Sequence, residues 1–461
     1  MYSRVTIGAA PAATVFAATL LGADSAGAAA AATVAFVAMT AVIVASVGYL
    51  IVQIRRGHGR RRQGRRRIVA APDHRFVFLI PCLNEGMVIG RTIDHLLRIP
   101  GDDYLVMVID DGSDDDTASI VASHPSPKVL LHRRTGAASR QGKGEALNDA
   151  YRELRSRFAG RNLHRVIVCV VDADGRLDPE VLHAVAPHFA DPQVAGVQIQ
   201  VRMHNRADGL LERMQDVEFV VCGDLLQRGR SSIGTAGMGG NGQFIRLGVL
   251  DLLKPAPWSH CLTEDLEMGL QLAARGWSLR FEPAASVTQQ GLGSPRRLLR
   301  QRTRWFQGHL ECLRLLPRLW RSPLSRSARF DLCHAVANAV VLLAFQTLSL
   351  AWLAVMAWRL AQDPSGFWSR YLAGGRIVWL VVATLALLPV VMWSYARHEP
   401  KLSTVRLLGV SLAYLLYSYL WVPAGWMGVV RALRRRGEWA KTERSLGTGD
   451  EVPVVATTTR R

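Results

Sequence analysis

Two carboxylates on alternate residues stand where an apolar run of the sequence ends. The run Val166–Val171 is followed directly by Asp172-Ala173-Asp174. Hard divalent cations bind carboxylate oxygens, and such a cation can also bridge the phosphates of a diphosphate. The spacing therefore indicates a site for Mg²⁺ or Mn²⁺ with a phosphate-bearing ligand, and an acidic loop is the ordinary alternative.

A second acidic pair, Asp110 and Asp111, follows the apolar run Tyr104–Ile109 and precedes a Gly-Ser turn. One of these carboxylates could accept hydrogen bonds from a base or a ribose, and the alternative is a turn with an acidic helix cap. Lys143 lies between two glycines ahead of a helical pattern. It could neutralise phosphate, but it lacks the spacing of a P-loop and alone is equally typical of a turn.

A third acidic cluster, Thr263-Glu264-Asp265, opens a helical pattern that runs to Arg275. Acidic residues at a helix start usually stabilise the helix dipole. The functional alternative is a general base that removes a proton from an acceptor hydroxyl. Upstream, Gly240 and Asn241 belong to a glycine-rich turn that lets a ligand approach the backbone closely.

The segment Gln301-Arg302-Thr303-Arg304-Trp305 combines cations with an aromatic ring. Arginine can bind a diphosphate through two parallel hydrogen bonds, and tryptophan offers a flat apolar face to a sugar ring. The segment lies within residues 295–319, where arginines and apolar residues occur together. This pattern predicts an amphipathic helix at a membrane interface, with a solvated surface helix as the alternative.

The elements that must position these residues follow an alternating pattern. Between residues 68 and 295, short β-rich runs alternate with helical ones, which predicts an α/β fold with a mostly parallel sheet. In such sheets ligands bind beyond the carboxyl ends of the strands, and three of the predicted strands end in polar clusters. The predicted strands are Arg75–Ile80, Tyr104–Ile109, Val129–His132, Val166–Val171 and Val197–Val201.

The formal charge is +19, but its distribution argues against a nucleic-acid partner. Arginines cluster in runs of eight at 55–67, five at 296–304 and four at 431–436, each beside an apolar stretch or a candidate site. Such clusters hold loops in the cytoplasm and contact anionic membrane lipids. The six cysteines show no metal-ligand spacing, which predicts free thiols and no structural zinc.

Apolar stretches near both ends of the chain predict a multi-pass membrane protein. Residues 31–54 carry no charge over 24 positions, and the arginine run beyond them indicates a cytoplasmic end. Residues 5–22 are either a first crossing or a signal peptide, and we favour a retained helical hairpin. Further stretches lie at about 333–358, 377–395 and 405–430.

The topology of the last stretch is open at this stage. Three crossings from the cytosol would leave the C-terminus outside, whereas the basic run at 431–444 indicates the inside. Pro423 and Gly425 interrupt the stretch, so a re-entrant or broken segment would resolve the conflict. The resulting regions are a transmembrane hairpin (1–54), a basic cytosolic linker (55–74), an α/β domain (75–294), an amphipathic helix (295–320), a second transmembrane region (333–430) and a basic, then disordered tail (431–461).

Taken in order, the clusters DDGS, DAD, TED and QRTRW resemble those of the family-2 glycosyltransferases, over residues 76–310 and the flanking membrane layout. Among these the chain is similar to processive membrane synthases of cellulose, hyaluronan, chitin and poly-N-acetylglucosamine, and Gln-x-x-Arg-Trp is the most specific part. The resemblance implies a GT-A-type fold, Mg²⁺ or Mn²⁺, a UDP-glucose or UDP-N-acetylglucosamine donor and a growing β-linked glycan as acceptor. It also implies an inner-membrane protein with its catalytic domain in the cytosol.

The resemblance assigns a role to each candidate residue. Asp265 is the catalytic base, and Asp174 is the metal ligand. The nucleotide-sugar would be bound by Asp110, Asp111, Lys143, Asp172, Gln301 and Arg304. The acceptor would be bound by Glu264, Trp305, Gly240 and Asn241. Lys441, Thr442 and Arg444 loosely match a region near the end of some synthases.

The implied reaction is a single in-line displacement that inverts the anomeric carbon. The membrane region is small, which departs from the pattern of the processive synthases. A complete channel for the glycan would therefore need a homo-oligomer or an accessory membrane subunit. Two other functions stay open, namely transfer of one sugar to a lipid or other membrane acceptor, and non-catalytic binding of a nucleotide-sugar. A transporter is disfavoured because the apolar stretches carry few polar residues.

Overall fold

A computed structural model describes residues 26–59, 74–372, 385 and 387–434 of the chain. The chain divides into two compact units, one of Met1–Val52 with Val341–Pro389 and one of Gln53–Val340 with Val390–Arg461. Four predicted features fall wholly or partly outside the described residues: the crossing at 5–22, the basic linker, the stretch at 377–395 and the C-terminal tail. All of the candidate site residues belong to the second unit.

The strands of the second unit alternate with helices as predicted. Its strands are β1 Arg75–Cys82, β2 Tyr104–Asp110, β3 Val129–Arg133, β4 Val166–Val170, β5 Arg176–Leu177, β6 Val194–Met203, β7 Gln243–Arg246 and β8 Ser278–Gln289.

The described helices include long apolar ones near both ends of the chain. They are α1 Ala26–Gly59, α2 Gly86–Leu97, α3 Thr117–Ala122, α4 Lys143–Arg157, α5 Val181–Val185, α6 Leu210–Cys222, α7 Arg228–Ser232, α8 Leu247–Leu250, α9 Glu264–Ala274, α10 Pro295–Cys312, α11 Leu316–Trp320, α12 Arg326–Gln362, α13 Pro364–Leu372, α14 Leu388–Ala396, α15 Thr404–Tyr417 and α16 Trp421–Leu433. A π-helical turn at Gly223–Gln227 joins α6 to α7.

The predicted α/β fold is confirmed, and its sheet is mixed. The strand order is β3-β2-β1-β4-β7-β6-β8-β5. Four of its seven pairings are parallel and three are antiparallel. The antiparallel pairings all involve β5 or β7, two short strands that the sequence did not predict. At two and four residues they are too short to show a recognisable alternation.

Helices and apolar side chains cover both faces of the sheet, which explains why the strands are apolar along nearly their whole length. In β1, Val77 and Leu79 enter one core together with α4 and α9, while Phe78 and Ile80 enter the other with α2. This alternation follows from the two-residue period of a strand. The double coverage leaves the carboxyl ends of β1, β2 and β4 as the open edge.

Three described helical segments are long and apolar enough to cross a membrane, namely Val37–Gly57, Arg326–Gln362 and Thr404–Leu433. They correspond to the predicted stretches at 31–54, 333–358 and 405–430. The last segment consists of α15 and α16 joined by a 3₁₀ turn at Ser418–Leu420. Pro423 therefore lies in the first turn of α16, where its missing N–H costs no hydrogen bond.

The predicted amphipathic helix at 295–320 begins with α10, which ends at Cys312, and a 3₁₀ turn at Leu313–Leu315 followed by α11 completes it to Trp320. Leu298 and Phe306 on one face are buried in the protein. Gly428 of α16 approaches Phe306 and the Thr303 carbonyl closely. Helix α10 is therefore packed against another helix along this face, which excludes a fully solvated surface helix.

Candidate active site

A cavity of about 500 Å³ opens at the carboxyl edge of the sheet. The predicted site residues that line it come from β-strand ends, from the glycine-rich turn before β7, from α4, and from the helices α9 and α10. They are Asp111, Lys143, Asp172, Gly240, Asn241, Glu264, Asp265, Gln301, Arg304 and Trp305. Residues up to 194 positions apart in the sequence thus meet at one site.

Lys143 lies at the first turn of α4 and bridges two walls of this cavity. Its Nζ donates to Oδ1 of Asp172 at 2.7 Å and to the carbonyl of Gly240 at 2.8 Å. Burial lowers the pKa of Lys143, but the Asp172 and Glu264 carboxylates outweigh it and hold the pKa above its usual value. The ammonium is therefore charged and available to an anionic ligand. Asn241 supports the same wall, because its Oδ1 accepts the N–H of Asp172 at 3.2 Å.

Glu264 and Asp265 are neighbouring acids at the start of α9. Glu264 is buried, and Asp265 is partly exposed to the cavity. Burial, together with the charge of Asp265, raises the pKa of Glu264 to about 7. Burial also raises the pKa of Asp265, against the opposing effect of its bond to the Leu266 N–H and of the Lys143 charge. A carboxylate with a raised pKa is a stronger base, which suits proton abstraction.

Helix α10 contributes Gln301, Arg304 and Trp305 to the lining of the cavity. These residues stand at positions i, i+3 and i+4, so they share one face of the helix. The Trp305 ring meets the Phe219 ring edge-on, with centroids 6.2 Å apart. Arg304 is partly exposed, and its charge lowers the pKa of Asp265, which places a cation near the base.

Of the two acids at the carboxyl end of β2, only Asp111 lines the cavity. Asp111 accepts from the Arg134 guanidinium and, at 3.0 Å, from the Arg140 N–H. Asp110 is fully buried, and its Oδ1 accepts the Ser113 N–H at 3.0 Å, which stabilises the turn. Neighbouring side chains at a strand end point to opposite sides, so both acids do not reach one ligand.

Asp174 is also buried and does not line the cavity. Its Oδ2 accepts the N–H of Gln290, a lining residue, at 3.1 Å. Within the described residues, no three or more His, Cys, Asp or Glu side chains are grouped in a way that could hold a metal. Mg²⁺ commonly takes only one or two carboxylates and completes its shell with phosphates and water. The residues present therefore fit a cation that arrives with a diphosphate better than a resident ion.

Three residues beside the predicted site residues, Arg134, Phe219 and His309, had no clear signature in the sequence. Arg134 is buried and connects Asp111 to the Ala138 carbonyl. It follows β3 directly, so its position at the same sheet edge was the indication that could have revealed it. Phe219 and His309 line the cavity as well, but single apolar or histidine positions on helices give no distinct pattern.

Residues 72–308 match the model of a glycosyltransferase-like family 2. The match covers more than half of the chain, and the chain belongs to this family. Its mixed sheet and its cavity at the strand ends are those of a GT-A-type glycosyltransferase fold.

Relatives of known or probable activity show the same family. The chain is 28% identical to a β-monoglucosyldiacylglycerol synthase of Synechocystis over 244 residues, which cover 51% of this chain and 48% of that protein. It is 25% identical over 384 residues to a probable glycosyltransferase of Bacillus subtilis, covering 79% and 86%. A poly-β-1,6-N-acetyl-D-glucosamine synthase of Staphylococcus aureus is 25% identical over 243 residues, covering 51% and 55%. The chain thus spans about half the length of the first relative.

A solved structure supports the fold. A mannosyltransferase from Pyrobaculum calidifontis, in complex with GDP-mannose and Mn²⁺, superposes with a TM-score of 0.55 at 18% identity and covers 87% of this chain and 99% of that one. At this identity the likeness concerns the fold alone.

Proposed function

We propose that the protein is an inverting glycosyltransferase that transfers a hexose from a UDP-sugar to a β-linked product at the cytosolic face of a membrane. The observation that carries the proposal is one cavity in which Asp265, Lys143 and Arg304 face the same space. A base and two cations are what sugar transfer from a nucleoside diphosphate requires. Membership of family 2 supports the reaction class.

The proposed chemistry is a single displacement. Asp265 accepts the proton of an acceptor hydroxyl, and the oxygen forms a bond to the anomeric carbon. The bond between that carbon and the diphosphate oxygen breaks, and the electron pair leaves with the nucleoside diphosphate. Lys143 and Arg304 stabilise the charge that develops on the leaving group. Attack opposite the leaving group inverts the configuration, so an α-linked donor yields a β-linkage.

A divalent cation is part of this proposal. Asp172, which lines the cavity, and Asp174, which lies buried behind it, would together hold Mg²⁺ or Mn²⁺ with the diphosphate, and the cation would supply further charge neutralisation. Asp111 would bind the nucleoside, and Gln301 the diphosphate. Because Asp110 is fully buried in a turn, its proposed contribution to nucleoside binding is to position Asp111.

Two acceptors are consistent with the site. Trp305, Glu264, Gly240 and Asn241 would bind a growing glycan, and the likeness to a poly-β-1,6-N-acetyl-D-glucosamine synthase supports synthesis of a polymer. Processive extension coupled to secretion is part of the same proposal. The likeness to a β-monoglucosyldiacylglycerol synthase supports a second candidate, transfer of a single sugar to a membrane lipid. We favour extension because of the Gln-x-x-Arg-Trp segment, with a homo-oligomer or accessory subunit completing a channel.

The test is a transfer assay on the full chain in lipid nanodiscs. UDP-glucose, UDP-N-acetylglucosamine and GDP-mannose are each supplied with Mg²⁺, with Mn²⁺ or with EDTA. The acceptors are a diacylglycerol and an oligosaccharide. Released nucleotide and product mass are measured in the same reaction.

Each outcome decides between the candidates. A long polymer from one UDP-sugar supports extension, and a single added hexose on the lipid supports the second candidate. Full activity in EDTA would remove the cation from the mechanism. Donor binding without nucleotide release under every condition would overturn the proposal in favour of a non-catalytic nucleotide-sugar-binding protein.

A further inference from the structure

The Gln-x-x-Arg-Trp segment contains a second arginine, Arg302, that no step above uses. Only 1% of its side chain is exposed, and it lies behind the cavity wall rather than in it. Its guanidinium lies 4.1 Å from the centroid of the Trp305 ring and 5.6 Å from that of Trp421. The arginine is thus placed between an aromatic ring of the cavity and an aromatic ring of the segment Thr404–Leu433.

The charge of Arg302 is matched by Glu218 on α6. Nη2 of Arg302 donates to Oε2 of Glu218 at 2.5 Å. The same carboxylate accepts from the Tyr417 hydroxyl at 3.0 Å and from the Trp421 indole N–H at 3.1 Å. We call the five residues Arg302, Glu218, Trp305, Tyr417 and Trp421 the arginine node. Loss of one partner of such a buried pair leaves the other charge uncompensated, so the members hold one another in place.

The arginine node touches the cavity at two points. Trp305 is itself a lining residue, and Nη1 of Arg302 donates to Oε1 of Gln301, another lining residue, at 2.8 Å. Phe219, which meets the Trp305 ring edge-on, is adjacent in sequence to Glu218. The orientation of both Trp305 and Gln301 therefore depends on where the guanidinium lies.

We infer that Arg302 is a positioning residue that holds the Trp305 ring in the cavity wall and connects that ring to the apolar segment Thr404–Leu433. This inference rests on the proposed function, in which Trp305 binds the acceptor. A guanidinium is suited to the role because it stacks on two rings and forms a directed hydrogen bond at the same time, whereas an ammonium does not stack in this way.

The kinetic test compares R302M and R302K with the parent chain in the transfer assay. R302M is expected to raise the acceptor KM about tenfold, the scale of a buried cation–π contact, and to raise the donor KM by a smaller factor, because Gln301 loses one hydrogen bond. R302K retains the charge but loses the planar stack on the rings, so its acceptor KM is expected to lie between that of the parent chain and that of R302M. R302M is then combined with W305A. If Arg302 acts through Trp305, R302M adds little to the acceptor KM in the W305A background.

A matched control separates positioning from general destabilisation. Arg246 is also buried and also lies over an aromatic ring, 5.1 Å from the Phe189 centroid, but it bonds only backbone carbonyls among its described partners. R246M is expected to lower thermal stability without selectively raising the acceptor KM. Hydroxyl-radical footprinting of the Trp305 side chain gives a readout independent of activity, and oxidation of Trp305 should rise in R302M but not in R246M.

The inference is overturned if R302M changes the donor KM and the acceptor KM by the same factor. It is also overturned if R302M raises the acceptor KM in the W305A background by as much as it does in the parent chain. Unchanged Trp305 oxidation in folded R302M would overturn it as well. Failure of the proposed function is a different result, since the parent chain itself would then transfer no sugar. In that case the footprinting comparison still decides whether Arg302 holds the Trp305 ring.

Discussion

At the scale of single residues, the site combines two acids and a lysine within one low-dielectric wall. Lys143 contacts Asp172 and the Gly240 carbonyl directly, and its charge lowers the pKa of both Glu264 and Asp265. Burial outweighs that effect and raises both pKa values. The consequence is a base stronger than an ordinary carboxylate that still has a cation nearby.

Asp265→Asn tests the base. The substitution preserves shape but removes the proton acceptor, so we expect kcat to fall by about 10²–10⁴-fold. Donor affinity, measured by isothermal titration calorimetry, should stay close to that of the parent chain. Glu180→Gln, an exposed acid elsewhere in the same unit, serves as the control. Full turnover in Asp265→Asn would remove this residue from the mechanism.

Glu264→Gln tests whether the Glu264 carboxyl group titrates near neutral pH. Because the folded pKa of Glu264 is raised from 4.5 to about 7, its contribution to stability is present below pH 4.5 and is lost as the pH rises through about 7. The variant should therefore lose less thermal stability than the parent between pH 5 and pH 8. Its kcat/KM profile should lack the step near pH 7. Identical profiles for the two proteins would contradict this assignment.

At the scale of elements, the position of α10 is set by its contact with α16. A Cβ at Gly428 would lie 3.1 Å from the Phe306 ring, 3.2 Å from the Thr303 carbonyl and 3.3 Å from the Gln307 N–H nitrogen. Arg431 adds a hydrogen bond to Gln307 at 3.0 Å. The absence of a side chain at Gly428 thus lets the helix that carries Trp305 pack directly on the apolar segment.

Gly428→Val should separate the two helices. Overpacking of this kind costs about 1–3 kcal/mol, so the melting temperature of the nanodisc-embedded protein should fall, and transfer should fall with it. Gly409→Val is the matched control, since Gly409 lies in the same segment and a Cβ there meets nothing within 4 Å. Equal losses in both variants would show that the contact with α10 is not the cause.

At the scale of the whole molecule, the described chain combines a family-2 glycosyltransferase domain with three helical segments able to cross a membrane by length and composition. The proposed reaction consumes a nucleotide-sugar, and the arginine clusters beside the apolar stretches favour the cytosol for the domain. A labelling experiment can therefore test on which side of the membrane this domain lies.

Asp102→Cys places a thiol at a side chain that is 98% exposed. In intact cells a membrane-impermeant maleimide should leave this cysteine unlabelled, and permeabilisation should expose it. The parent chain is the control for the native cysteines, most of which are buried. Labelling of Asp102→Cys before permeabilisation would place the domain outside the cytosol.

Residue types and spacing predicted the fold class and ten of the residues that line the cavity. Alternation of apolar runs with helical patterns identified five strands, and polar residues after β1, β2 and β4 identified the edge where ligands bind. These are local properties, because a few consecutive residues show both that a strand is buried on its two faces and that a polar turn follows it. The short strands β5 and β7 had no such local pattern, and β8 was not predicted either, although it is 12 residues long.

Which polar residues face the cavity became clear from the three-dimensional structure and not from the sequence. Asp110 and Asp111 are equivalent in the sequence, yet the direction of β2 buries the first and exposes the second to the cavity. Arg302 and Arg304 are likewise two cations of one segment, and packing against α6 and α16 encloses only the first. Side-chain direction relative to elements far away in the sequence, such as Glu218 at 84 positions from Arg302, is a long-range property. Residue types and spacing therefore did not reveal it.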